Sequence, residues 1–520
     1  MQPVVVKARG TNSIELKFRY GVERNQLRRR EDYSTDVHFF LPASFKINPS
    51  TYERPQFYRD AKIYFRADTP VMSADQLLSI DCLESPLSRL RRMIGAAGRD
   101  DAARPDAFVY EPKMLGAIYK SLLRRVVGSL NESVAEVGDS DPLDPDADDV
   151  RPEEMADQID EGTERWTPTE STVNSVHGIA KEFHQLTSQV TQCEAWAEVH
   201  EHCRMIDEHL SLLLEHYLGA CLSDGPGEIS PSSQELRIVD VISEEAEYRK
   251  SMAYPTTLPE EPEQSRLEEY VYREKMLKTY ASEVLFLNVK SYDESKRAEH
   301  FLYAVAAGIA MVFATAIAFY AQSVFGGISA TLFALLVVSY MIKDRLKDAF
   351  RSYFRRSVGG RFYDRKMNLY DANLHEKLAR VRERVNFVSA KHTDEVVARA
   401  RNRGPFETRL TQTKPESHFV YHQSVTIKAD SLRQVHERIT GLADIVIVNL
   451  DRMLLHLANQ TTKVPVVHGD SVIVHRSGRV YHLNVIVVSK DKSGRMINRF
   501  RLIVDRDGIK RIETVPLHGE

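Results

Sequence analysis

The apolar and polar positions of this chain follow three different periods. Near the middle, residues 301–321 carry no charge over 21 positions, and residues 324–342 add 19 more. About 20 apolar residues in a helix cross ~30 Å of hydrocarbon, so the two runs predict a two-helix transmembrane hairpin over 301–342. The uncharged tip "YAQSVFGG" joins them, and Gly326 and Gly327 permit a tight reversal.

Helical spacing dominates elsewhere. Val176, Phe183, Val190 and Ala197 recur every seven residues, which predicts one long helix over 171–222. Further helices are expected near 74–97, 110–137, 232–252 and 263–292. Met367, Leu374, Val381 and Val388 repeat every seven residues, with Leu378 and Val385 between them. That predicts a helix over 364–402, with coiled-coil character. The helices before and after the hairpin then form two arms, which the pattern allows either to pair as an antiparallel cytoplasmic stalk or to dock onto globular parts of the chain.

Strand alternation marks both ends of the chain. "VVVKARGTNSIELKFRYG", "DVHFFLPASFKI" and "AKIYFRAD" predict a small sheet within residues 1–70. Toward the C-terminus a strand is expected over 419–427, a helix over 430–459, and then four strands. "VPVVHGDSVIVH" reads as the first of these, turning at Arg476-Ser477-Gly478 into "RVYHLNVIVVS". "MINRFRLIVD" follows, and Asp507-Gly508 turns it into "IKRIE".

The expected fold is thus a multidomain α+β membrane protein. It has a β-then-α N-terminal domain (1–137), an acidic linker (138–170) and a helical region (171–262). A membrane-leading arm (263–300), the hairpin (301–342), and a basic elbow with returning helical arm (343–404) follow. A C-terminal α+β domain with an antiparallel sheet closes the chain (405–520).

Composition adds limits. Charged residues make up 28% of the 520 positions and the net charge is −4, so no global field selects nucleic acid. Four cysteines in so long a chain give no disulfide framework and fit a reducing compartment. Residues 132–170 hold 15 acidic and two basic residues, a composition that cannot bury enough apolar surface to order itself.

Charge placement orients the hairpin. Lys290, Lys296 and Arg297 precede it, and the tip has no Lys or Arg. Lys343, Arg345, Lys347, Arg351, Arg355 and Arg356 follow it, within a stretch, 343–366, of nine basic and three acidic residues. Both flanks and both termini are therefore expected in the cytoplasm, at the inner membrane in a prokaryote. Those six cations are candidates for lipid-phosphate contact, and anionic headgroups are the expected ligands. Leu346, Ala349, Phe350, Tyr353 and Phe354 form an apolar face opposite them, which suits either a surface helix or a continuing one. Ala306, Ala310, Ala314 and Ala318 make a small-residue face that suits packing within the hairpin or between several hairpins.

Candidate chemistry is sparse. His200, Cys203 and Asp207 share one helix face and are weak metal-ligand candidates. There is no P-loop, Rossmann fingerprint, nucleophile elbow, kinase motif or zinc motif, so no cofactor and no catalytic residue is assigned. The expected function is a membrane-anchored cytoplasmic scaffold, sensor or regulator acting through protein contacts or as a homo-oligomer. An oligomeric effector that forms a pore or perturbs the bilayer is the alternative, and a membrane-tethered enzyme the second alternative.

Overall fold

The computed structural model describes residues 4–22, 30–96, 105–128, 169–192, 197–222, 233–259, 261–325, 327, 330–358, 362–372, 375–389, 392–401, 416–435, 438–468 and 471–517. Most of the acidic linker lies outside them. The chain folds into two compact units that do not follow sequence order. Unit 1 combines residues 1–65, 287–435 and 443–520; unit 2 combines 66–286 and 436–442. The expected N-terminal domain is therefore divided between the units, and its strands share a unit with the C-terminal strands.

Unit 1 is built on two antiparallel-rich sheets. One runs β1–β2–β9–β4, from β1 (Val5–Arg9), β2 (Ser13–Gly21), β4 (Ala61–Ala67) and β9 (Gly441–Asn449). The other has eight strands in the order β14–β13–β12–β3–β8–β7–β6–β5. Its strands are β3 (Arg30–Leu41), β5 (Asn288–Asp293), β6 (Arg365–Tyr370), β7 (Lys377–Phe387), β8 (Ser417–Lys428), β12 (Tyr481–Lys490), β13 (Arg495–Val504) and β14 (Ile509–Thr514). A separate pair, β10 (Thr461–His468) and β11 (Ser471–Gly478), joins neither sheet. Helix α1 (Arg54–Asp60) also belongs here, with Phe57 packed on Phe419 and Tyr421.

Unit 2 is helical: α2 (Ala74–Leu78), α3 (Pro86–Ala96), α4 (Pro105–Gly128), α5 (Glu170–Thr191), α6 (Ala197–Gly219), α7 (Ser233–Ser251) and α8 (Gln264–Ser282). Helix α6 is central and packs on α4, α5, α7 and α8. Leu210, Leu214 and Leu218 keep its apolar stripe fully buried. The expected single helix over 171–222 is thus two helices packed on each other, since one continuous rod would leave both stripes without a partner.

The remaining helices lie in unit 1: α9 (Glu294–Phe325), α10 (Ala330–Val358), α11 (Glu395–Arg401), α12 (Ala429–Val435) and α13 (Asp451–Leu454). Helices α9 and α10 pack along each other. Among the described residues only one helix segment, His300–Val324, is long and apolar enough to cross a membrane. The second expected run, 324–342, falls short of that measure among the described residues. Lys343 follows Ile342 within α10, and only residues 330–342 of that helix precede the charges, ~20 Å of rise against ~30 Å of hydrocarbon.

Three further expectations change. Residues 364–402 are not a helix or coiled coil but the hairpin β6–β7 followed by α11. "KLARVRERVNF" alternates apolar and charged, and Leu378, Val381, Glu383 and Val385 are all buried; Leu374 lies outside the described residues. Among the described residues the expected arm after the hairpin is thus strand rather than helix, and the stalk lacks its second helix. Of the two readings of the basic stretch, the continuing helix is the one seen, since α10 runs unbroken from Ala330 to Val358. Residues 430–459 hold α12, β9 and α13, with β9 an almost wholly buried apolar strand. "VPVVHGDSVIVH" is two strands, not one, with Val464 opposite His475 and Val467 opposite Val472.

Other expectations hold. β8 covers the 419–427 strand, α7 the 232–252 helix and α8 most of the arm before the hairpin. Asp507-Gly508 does turn β13 into β14, with the Asp505 N–H bonded to the Gly508 carbonyl at 2.9 Å. Gly508 sits at φ +140°, and a Cβ there would stand 2.4 Å from the Thr11 carbonyl oxygen.

Candidate membrane-contact site and buried polar networks

The hairpin leaves unit 1 from one place in the eight-stranded sheet. β5 ends at Asp293 and α9 begins at Glu294; α10 ends at Val358 and β6 begins at Arg365. β5 and β6 pair antiparallel, with Asp293 opposite Arg365 and Asn288 opposite Tyr370. The strands flanking the hairpin pair, while α8, the helix of the expected membrane-leading arm, packs on α4 and α6.

Only 11% of the apolar window of α9 is buried. Val312 is 70% exposed and Phe319 69%, and Phe333 on α10 is 71% exposed. A core helix would bury such side chains, gaining about 1.5–3 kcal/mol for each. The buried positions are the small ones. Ala306 and Ala310 are fully enclosed, Ala314 and Ala318 half-buried, and Ser339 is enclosed on α10. The alanine face is therefore the seam between the helices, where small side chains permit close backbones.

The cations divide. Lys343 Nζ lies 3.5 Å from the Tyr340 ring centroid and 3.8 Å from Asp344 Oδ1. Arg351 stacks over Tyr303 of α9 at 5.4 Å and lies 3.9 Å from Asp348 Oδ1. Arg345 is exposed and Lys347 half-buried. Arg355 and Arg356 fall on the last turn of α10. All six occupy one helix beyond its apolar half, spread over ~20 Å of its rise.

Unit 2 carries a buried polar network that the sequence reading missed. His184 on α5 contacts Asp207 Oδ1 through Nδ1 at 2.8 Å and Glu245 Oε2 through Nε2 at 3.2 Å. The Tyr248 and Tyr254 hydroxyls donate to Asp207 Oδ2 at 2.6 and 2.7 Å. His177 Nε2 lies 3.2 Å from Glu245 Oε1. Burial lowers the pKa of His184, but hydrogen bonds and charge from Asp207 and Glu245 outweigh it and raise it to about 9. Glu245 is held below the usual carboxylate range despite its burial, by hydrogen bonds from His177 and His184. At neutral pH an imidazolium therefore bridges two carboxylates, and the network ties α5, α6 and α7 together.

The metal candidates sit beside it. Asp207 is engaged by His184 and two tyrosines. Burial, with the Asp207 charge added, pushes the Cys203 thiol up to about 12, which disfavours the thiolate a metal needs. His200 is half-buried on the same helix. Among the described residues no group of three or more His, Cys, Asp and Glu is arranged to hold a metal ion. A signal was present in the sequence: His177 and His184 stand seven apart on an otherwise apolar stripe.

Unit 1 holds a second network, between its strands. The Tyr421 hydroxyl donates to Glu383 Oε1 at 2.7 Å, and Gln423 Nε2 reaches the same oxygen at 3.3 Å. The Tyr20 hydroxyl donates to Gln423 Oε1 at 2.9 Å. Asp444 is fully buried, and neither of its oxygens is within hydrogen-bonding geometry of a partner, Tyr20 and Gln423 being polar neighbours. Burial raises Glu383 to about 7, and burial with the Glu383 charge holds Asp444 well above the usual range. Burial thus favours the protonated form of both carboxyls. Asp444 inside "GLADIVIVN" was the visible clue, an acid within an apolar run.

No known protein family, curated protein or solved structure matches the chain.

Proposed function

We propose that this chain is an integral membrane protein anchored by a two-pass hairpin, with both termini cytoplasmic, and that it acts as a scaffold, sensor or regulator through protein contacts. The observation that carries the reading is the exposure of α9, an apolar helix long enough to span and only 11% buried over its apolar window. Two passes are supported by the flanks. β5 and β6 belong to one sheet, so the chain returns to the side of the membrane it left. The short apolar half of α10 reaches further if Lys343 extends its alkyl stem along the helix toward the headgroups.

Partner contact draws support from the sheet edge. β5 is the outermost strand and every one of its residues is exposed. An open edge offers backbone groups to an added strand. A change in the packing of α9 on α10 would pull on β5 and β6 directly, which couples the hairpin to that edge. The pore-forming alternative drew on the alanine ladder, and enclosure of Ala306 and Ala310 within the pair leaves less of it for neighbouring hairpins.

Single-cysteine labelling of the full chain in sealed vesicles tests the reading. Cysteines at Ser323, near the tip, and at Ser291 are expected to label from opposite sides of the membrane, and Ser291 and Ser493 from the same side. Labelling of Ser291 and Ser493 from opposite sides would overturn the two-pass arrangement, and extraction of the chain by alkaline carbonate would overturn anchoring.

A further inference from the structure

The eight-stranded sheet is cationic on one face of its β5 end. Directly opposite residues on paired strands share a face, and alternate residues along a strand return to it. Lys290 of β5, Lys366 of β6, and Arg380, Arg382 and Arg384 of β7 fall on one face by this rule. Tyr292, Asn368 and Tyr370 stand among them, and Lys290 Nζ lies 5.0 Å from the Tyr370 ring centroid. None of these eight side chains is buried, whereas Met367, Leu369, Val381 and Val385 on the opposite face are. Tyr292 is 38% exposed.

The charges are poorly compensated. Among the described residues no carboxylate lies within ion-pair distance of Lys290, Lys366, Arg380 or Arg384, and Arg382 reaches Glu294 Oε2 at 3.9 Å. Lys377 adds another cation, its Nζ donating to Asn368 Oδ1 at 2.5 Å. Burial lowers its pKa, and the charges of Arg380, Lys366 and Lys428 lower it further. Like charges this close repel, and a bound polyanion relieves them. The net charge of −4 sets no global field, so the attraction is local.

We propose that this face binds single-stranded nucleic acid, with Lys366, Arg380 and Arg384 on backbone phosphates and Tyr292 and Tyr370 against bases. The proposal goes beyond the scaffold reading, which names no such partner. Each row across the strands mixes the two kinds of group: Tyr292–Lys366–Arg382 in one, Lys290–Asn368–Arg380 in the next. Lipid phosphates and acidic side chains use the cations alone, whereas nucleic acid uses every member of both rows. The patch spans ~10 Å across β5 to β7 and ~13 Å along β6 from Lys366 to Tyr370. A flat sheet face does not enter a duplex groove, which admits a helix or a two-stranded ribbon. It does accept unstacked bases laid on exposed rings.

The test is fluorescence anisotropy of a labelled single-stranded oligonucleotide, as RNA and as DNA, titrated with the full chain in neutral detergent. Binding is expected at low salt. It should weaken by about 0.7 logarithmic units per phosphate contact for each tenfold rise in salt. Lys366→Glu combined with Arg380→Glu should abolish it. Tyr292→Ala should weaken it about fivefold or more, and Tyr292→Phe should retain it. The charge-matched pair Lys463→Glu and Arg476→Glu, on β10–β11, should leave it unchanged. Melting temperatures check that the variants fold, and the two Tyr292 variants keep the comparison should the double reversal unfold. No binding at low salt, equal binding of the matching duplex, or full binding by Tyr292→Ala overturns the proposal. Hydrogen exchange over β5 and β6 that slows in phosphatidylglycerol nanodiscs, but not with oligonucleotide, assigns the face to lipid and overturns it. Equal competition by polyglutamate assigns it to acidic protein segments and overturns it as well.

Discussion

Asp293 and Arg365 lie directly opposite each other on adjacent strands, although the whole of α9 and α10 separates them along the chain. That pairing places both ends of the helical hairpin on one sheet. Lys290 and Asn368 are opposite each other in the same ladder. Cysteines at these two positions are therefore expected to form an intramolecular disulfide when the full chain is oxidised. Protease cleavage at the hairpin tip should then leave the halves joined until reductant is added. Failure to crosslink would mean that the two flanks do not meet.

The seam between the helices predicts an asymmetric response to size. Ala310 is enclosed and Val312, two residues on, is 70% exposed. Ala310→Leu should force the helices apart at a cost of about 1–3 kcal/mol, the usual penalty of overpacking. Val312→Leu should cost almost nothing. Thermal unfolding in mild detergent separates the two, and equal effects would argue that the alanine face is not the seam.

The unit 1 network predicts a loss of stability with rising pH. Glu383 has its pKa raised from 4.5 to about 7 in the folded chain. The folded state therefore binds more protons than the unfolded state between those values, and stability falls as pH rises through that window. At pH 8 the loss amounts to about 3 kcal/mol, from 1.36 kcal/mol per unit. Glu383→Gln should flatten this dependence, raising the denaturation midpoint at pH 8 relative to wild type while changing it little at pH 4. A pH profile unchanged by the substitution would show that Glu383 ionises normally.

The unit 2 network falls away at higher pH. His184, raised from 6.5 to about 9, contributes its full stability below about 6.5 and loses it as pH rises through 9. His184→Ala leaves Asp207 and Glu245 buried without their bridging cation, a change worth about 3–5 kcal/mol. Hydrogen exchange over α5 and α6 should speed up accordingly at pH 7, and much less at pH 10, where wild type has already lost the charge. Equal acceleration at both values would make His184 a packing residue only.

Gly508 offers a backbone test. At φ +140° and with the Thr11 carbonyl 2.4 Å from any Cβ, Gly508→Ala must move the β13–β14 turn or the loop holding Thr11. A loss of about 1–3 kcal/mol is expected, read as a lowered melting temperature. Gly10 also has positive φ, but nothing lies within 4 Å of its Cβ position, so Gly10→Asn should be milder.

Local pattern was legible wherever one period operated alone. Residues 301–321 read as helix because nothing in that run interrupts the spacing or carries charge, and α9 covers them. Asp507-Gly508 between apolar runs specified a hairpin through its own turn chemistry. The stripes of α7 and α8 emerged for the same reason. Reading failed where two periods overlapped: Met367, Val381 and Val388 match a heptad by coincidence, while the alternating arginines of β7 carry the true period.

What the chain could not announce was pairing. Glu383, Gln423 and Asp444 come from three separate stretches, and only the stacking of β7, β8 and β9 makes one buried network of them. The meeting of β5 with β6, the division of residues 1–137 between two units, and the solitary state of β10–β11 are likewise decided by tertiary contact. The reason is physical. Helix and strand periods arise from neighbours within a few residues, whereas a strand's partner is chosen by which distant apolar face it can bury.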